Sequence, residues 1–249
     1  MKELMGMWKS TRMVVLCALS AAVYVALLIP FKALTLIPGF AEIRPAVVLP
    51  VVCSLLFGPA AAWGTAIGNL IGDFFGTFGI ASIFGFLANF VYGYLPYRIW
   101  DYMGEKEPRL STGRGWVAFV IAVFISSAAC AATVGWGTQM LGFFPFSVLA
   151  DIILVNNFIL SLVLVPVILK VTSARIRKWG LYYPQLVEGA VSLPRLFRSL
   201  GLILLVVGIF GAFFVGHGLI SKVLPGVTLS ARAALTASMG ALFLGLTLV

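Results

Sequence analysis

From Met13 to Phe31 the chain runs through nineteen residues without a single charge, and blocks of this kind recur to its end. An apolar stretch that long matches the roughly 30 Å hydrocarbon thickness of a bilayer when it is coiled into a helix. In lipid every backbone N–H and C=O must be satisfied inside a helix or a closed barrel. Barrel strands would alternate apolar and polar residues, which these blocks do not. The reading is an all-α integral membrane protein. Approximate spans are 13–31, 45–58, 59–77, 79–97, 116–138, 150–169, 200–220 and 230–249. The second and third are separated only by Phe57-Gly58-Pro59, where glycine permits a turn and proline opens a helix.

Composition agrees: of 249 residues 61% are hydrophobic and only 10% charged, against about 25% charged in an ordinary soluble domain. The net charge of +9 would suggest a polyanion partner in a soluble protein, but basic residues gather in the cytoplasmic loops of membrane proteins. Nucleic acid is therefore not an expected partner. Starting the N-terminus in the cytoplasm puts 13 of the 17 Lys and Arg residues inside and leaves Lys32, Arg44, Lys222 and Arg232 outside. Both termini are then expected on the cytoplasmic side. The first block is too long for the apolar core of a cleaved secretory signal. Val171 to Arg198 reads as a basic linker, which divides the chain into a six-helix unit (1–172), a cytoplasmic linker (173–198) and an added transmembrane helix pair (199–249).

Catalysis is not expected. A phosphate-binding G-x-x-x-x-G-K-[ST] loop is absent, His217 is the one histidine, and no His, Cys and carboxylate run has metal-ligand spacing. Neither a cofactor nor a metal is anticipated. Cys17, Cys53 and Cys130 all fall inside apolar blocks, which makes a disulfide framework improbable.

Polar residues at membrane depth are costly, and normally face a cavity or a partner. Asn69 and Asp73 share a helix face near the outer end of the third block, while Asn89 in the fourth block lies deeper, at a level comparable to Asn156 and Asn157 in the sixth. Asp151 opens the sixth block, where it reads equally as a helix N-cap or as a ligand contact. Asn156 and Asn157 lie deeper. The first outer loop carries Phe40, Glu42 and Arg44 beside a Pro-Gly turn, the two charges being free to pair with each other, with lipid headgroups or with a substrate. Phe74, Phe75, Phe78, Trp136, Phe143, Phe144 and Phe146 also map to the outer half, as an interfacial belt or as walls for a planar ligand. Two strips of small residues mark close helix packing. Ala18, Ala22 and Ala26 form one, facing either this chain or a second subunit. Ala60, Gly64, Gly68, Gly72 and Gly76 form the other, read as internal.

Thr11-Arg12 leading into the alanine strip, Glu42-Ile43-Arg44-Pro45 after a Pro-Gly turn, Leu56-Phe57-Gly58-Pro59, Gly68-Asn69 and Gly72-Asp73 together resemble the substrate-binding S component of energy-coupling factor (ECF) transporters, over about residues 10–172. That resemblance implies a six-helix membrane subunit that binds a vitamin or related micronutrient near the extracellular side. It implies a transmembrane coupling subunit and two ATPases as partners, docking through Ala18, Ala22 and Ala26, and delivery by reorientation in a prokaryotic cytoplasmic membrane. The loop after the first helix would help cover the ligand, and the expected substrate contacts are Phe40, Glu42, Arg44, Asn69, Asp73, Asn89, Trp136, Asp151, Asn156 and Asn157. A queuosine precursor, a cobalamin-like compound or another heterocycle suits the aromatic outer half. The last helix pair departs from the six-helix pattern. A self-contained proton-coupled transporter acting through Asp73 or Asp151, or a ligand-free membrane scaffold, are the alternatives.

Overall fold

The computed structural model describes residues 2–32, 44–76, 78–104, 110–186, 194–219 and 230–249. Ten α-helices occupy the described residues: α1 Lys2–Gly6, α2 Thr11–Lys32, α3 Val48–Phe57, α4 Pro59–Asp73, α5 Ser82–Tyr102, α6 Gly113–Met140, α7 Phe146–Lys178, α8 Tyr183–Leu186, α9 Arg195–Gly216 and α10 Ala231–Leu248. The eight longer ones correspond to the eight apolar blocks, and no strand is present among the described residues. By length and composition α2, α6, α7 with α8, α9 and α10 suffice to cross a membrane. At about 1.5 Å per residue, α3 and α4 are too short to do so alone.

All ten residues of α3 are buried, with α4, α5 and α7 packed around it. A helix that is apolar on every side belongs in such a position. Its partner α4 begins after Gly58, whose φ of 55° is a left-handed conformation that favours glycine. A Cβ at Gly58 would also lie 2.8 Å from the Tyr183 ring. The chain returning from α7 therefore closes over this turn.

Opposite faces of α2 have different fates. Leu16, Cys17, Ser20, Ala21, Tyr24 and Leu28 are buried, and the neighbouring α4 offers them glycines. A Cβ on Gly64 would sit 2.5 Å from the Cys17 carbonyl oxygen, one on Gly68 2.9 Å from that of Ala21, and one on Gly72 2.3 Å from the Leu28 side chain. The glycine strip is thus an internal packing face, as its spacing suggests. It is shorter than expected: α4 ends at Asp73, and Gly76 lies beyond it at φ 126° with nothing near its missing Cβ. Ala18, Ala22 and Ala26 lie outside this packing face and are exposed. With Trp8, Val25, Ile67 and Ile71 they line an apolar groove of about 610 Å³ between α2 and α4.

The two terminal helices α9 and α10 pack closely on each other. A Cβ on Gly208 would meet the Leu242 nitrogen at 2.4 Å, and one on Gly245 the Leu205 nitrogen at 2.5 Å. This pair leans on the bundle through several side chains. Trp136 donates to Thr236 Oγ1 at 3.2 Å, Tyr102 and Ser199 share a hydroxyl contact of 2.9 Å, and Gly216 lies flush against the Phe146 ring. Helix α7 continues to Lys178, so Arg175, Arg177 and Lys178 extend a helix rather than start a linker. Arg and Lys are good helix formers, and a cationic last turn suits the helix dipole. Tyr182 and Tyr183, which follow, are buried.

Both ends of the chain meet at one end of the bundle. Arg98, 7% exposed, forms a 2.5 Å ion pair with Glu3 and donates to the Val249 carbonyl. Tyr97 adds a 3.2 Å hydrogen bond to Glu3, and Tyr183 donates to Asp101 nearby. The opposite, far end carries the close of α2 and α4 and the start of α5 and α7.

Candidate functional site

Toward the far end, α2, α4 and α5 bring four polar side chains together among apolar ones. Tyr24 is only 3% exposed, so its hydroxyl must find partners within the protein. It points at two asparagine carbonyl oxygens, Asn89 Oδ1 at 3.1 Å and Asn69 Oδ1 at 3.3 Å. Asn69 in turn donates from Nδ2 toward Asp73 Oδ2 at 3.5 Å, and Asn89 from Nδ2 to the Gly85 carbonyl at 2.9 Å. The four-residue spacing of Asn69 and Asp73, and of Gly85 and Asn89, stacks each pair on one helix face. Gly85 is required for the approach: a Cβ there would lie 2.9 Å from Asn69 Nδ2.

Arg44, half-buried just before the Pro45–Val47 turn, is within electrostatic reach of Tyr24, as is Asp73. So are Cys130 and Tyr92, which belong to a second buried group between α5, α6 and α7. There the Tyr92 hydroxyl shares a 2.9 Å contact with Ser161 Oγ, accepts from Ser127 at 3.4 Å and reaches the Asn157 carbonyl at 3.4 Å. Asn157 Nδ2 points at Cys130 Sγ, 3.6 Å away. The two groups adjoin along α5, where Asn89 and Tyr92 are three residues apart and so share a face.

Of the ten expected substrate contacts, Asn69, Asp73 and Asn89 converge directly, with Arg44 near them and Asn157 in the adjoining group. Asn156, half-buried, is next to Asn157 on α7. Phe40 and Glu42 lie outside the described residues. Trp136 and Asp151 are placed elsewhere. The Trp136 ring sits between Phe84 at 5.5 Å and Phe243 at 6.1 Å, with its N–H on Thr236, so it holds the terminal pair. Asp151 is exposed and pairs with His217 Nε2 at 3.0 Å, again joining α7 to α9. That bond, more than any other influence, lifts the His217 pKa above its ordinary value. Phe146 is buried, whereas Phe74, Phe75 and Phe78 are exposed, Phe74 stacked on Phe78 at 4.2 Å.

Sequence reasoning missed Tyr24 and Gly85. Tyr24 sits on the face that also carries Cys17, Ser20 and Leu28, and a tyrosine there reads equally as packing. Gly85 gave no signal of its own, because its role depends on an amide from another helix. Among the described residues, no group of three or more His, Cys, Asp or Glu side chains is placed to hold a metal.

The arrangement offers amide, hydroxyl and carboxylate groups in an apolar surround, groups that can donate to and accept from a small molecule. No curated protein and no solved structure matches this chain. The family model of the QueT transporter, however, matches residues 14–174, from early α2 almost to the end of α7, which takes in every member of the polar cluster. The chain therefore belongs to the QueT transporter family, and so to the substrate-binding S components of ECF transporters.

Proposed function

We propose that the protein captures a queuosine precursor, a deazapurine base, at the far end of the bundle and passes it inward as part of an ECF-type importer. The polar cluster of Tyr24, Asn69, Asp73 and Asn89 is the observation that carries this reading, because a buried amide beside a half-buried amide and carboxylate at membrane depth is costly and normally faces a cavity or a partner. Arg44 and the Asn157 group extend the contact surface, and Asn156 borders it. In this reading the far end faces outward and both chain termini are cytoplasmic, in a prokaryotic cytoplasmic membrane. The excess of basic residues at the termini end supports that orientation.

The exposed strip of Ala18, Ala22 and Ala26 serves the coupling subunit. Its groove is apolar and shallow, which suits close approach of a partner helix in lipid, where contact is driven by packing. Two ATPase subunits supply the driving force in trans. The six-helix unit is the transporter proper, and the terminal pair braces its α6 and α7.

Reconstitution tests the scheme. Proteoliposomes holding this chain with a coupling subunit and both ATPases should accumulate a labelled queuosine precursor only with internal-facing ATP. Accumulation by the chain alone under a proton gradient would reject the ECF partnership in favour of a proton-coupled carrier.

A further inference from the structure

The hydrogen bonds around Tyr24 do not balance. A phenol has one proton, and here two amide oxygens, Asn69 Oδ1 and Asn89 Oδ1, both face it. Turning either amide around would cure the shortage only by bringing its oxygen against another acceptor. For Asn89 that acceptor is the Gly85 carbonyl, and for Asn69 it is the Asp73 carboxyl. Both amides are thus locked with their oxygens toward Tyr24, and one carbonyl is always left without a donor. Tyr24 and Asn69, 3% and 6% exposed, have little access to bulk water, whereas Asn89 is half-buried, so its carbonyl is the one open to a ligand.

We propose that this triangle selects its ligand by N–H groups: the ligand donates to one asparagine carbonyl while the Tyr24 proton takes the other. The inference rests on the reading of this cluster as the substrate site and adds which edge of the ligand it accepts. A base whose polar edge carries an amino group is favoured, and one that presents a carbonyl at the same position is rejected. Tyr24 is a positioning residue here, since its proton moves to whichever carbonyl the ligand leaves. A carbonyl that a ligand covers without pairing is expensive enough that the preference amounts to roughly tenfold or more in affinity.

The test is calorimetric binding of three probes to the purified full-length chain: a 2-amino-6-oxo deazapurine, its 2-deamino analogue and its 2-oxo analogue. The expected order is amino, then deamino, then oxo. Asn89→Leu or Asn69→Leu leaves one carbonyl for one proton, so each should reduce the amino-over-oxo preference to within about threefold. Tyr24→Phe, which removes only a hydroxyl, should keep the preference or widen it. A cluster with a merely structural role would instead lower affinity for all three probes alike. Melting temperature and size-exclusion profile establish that each variant is folded, and Tyr24→Phe with Asn69→Leu carries the test should Asn89→Leu fail to fold. Equal binding of the three probes, or preference for the oxo form, overturns the donor rule while leaving the substrate site standing. Failure of folded wild-type protein to bind any probe overturns the site reading, and the donor rule with it.

Discussion

Adding one methyl group at Gly64 separates the two faces of α2 more sharply than any other change. The new Cβ would stand 2.5 Å from the Cys17 carbonyl oxygen and 2.6 Å from Ser20 Cβ, where ordinary contacts begin at 3.4 Å. The obstructing oxygen is backbone, so no side-chain rotation relieves it, and α2 and α4 must part by roughly 1 Å. Parting them also loosens Gly68 against Ala21 one turn on. Alanine in place of glycine favours helix by up to about 1 kcal/mol, but overpacking of this kind costs about 1–3 kcal/mol. The clash wins, and Gly64→Ala should lower the melting temperature in detergent by roughly 2–8 °C. Ala22→Leu, on the opposite and exposed face of the same helix, should leave melting temperature and ligand affinity unchanged while abolishing ATP-driven uptake with the partner subunits. A stable Gly64→Ala protein would refute the packing argument. An Ala22→Leu protein that transports normally would refute the assignment of the exposed strip to the coupling subunit.

Three further outcomes are expected. Gly85→Ala directs a methyl group at Asn69 Nδ2, the movable end of a side chain, so it should lower ligand affinity by roughly tenfold, measured by calorimetry, with little loss of stability. The raised pKa of His217 means that its pairing with Asp151 stabilises fully below about pH 6.5 and is lost as pH rises through the raised value. Because both groups are partly exposed the effect is about 0.5 kcal/mol, and the melting-temperature gap between wild type and His217→Gln should shrink from pH 6 to pH 9. Arg98→Leu strands Glu3 beside buried tyrosines and should cost about 3 kcal/mol in a denaturation titration, whereas Arg198→Leu, which removes a 3.4 Å contact to the Arg98 carbonyl and a guanidinium 5.5 Å from the Tyr102 ring but no ion pair to Glu3, should cost far less.

Much of the bundle could be read from apolar block length, because lipid allows little besides helices. The first block ends within two residues of α2 at its start and one at its close, and the break at Gly58 is where the Phe57-Gly58-Pro59 run places it. Length fails where charge and helix coexist. The end of α7 was obscured because its basic last turn resembles a linker, and the close of α4 because Gly76 continues a four-residue spacing after the helix has stopped. In the site, four-residue spacing paired Asn69 with Asp73, and the cost of placing an amide in lipid marked Asn89, but its meeting with that pair depends on how α4 packs on α5. Burial cost alone does not separate a ligand contact from a contact between helices, and Trp136 and Asp151 reach Thr236 and His217 of the terminal pair. Tyr24 was hidden for the opposite reason: a tyrosine ring is at home in a core, and only the two amides at its hydroxyl distinguish it.

The most direct measurement is mass spectrometry of the small molecules released from gently purified wild-type protein, with Asn69→Leu purified alongside. The wild type should release a queuosine precursor at close to one molecule per chain, and the variant far less. Folded wild-type protein that releases no heterocycle, and shows no thermal shift with deazapurine, nucleobase or vitamin probes, would contradict the account of a capture subunit.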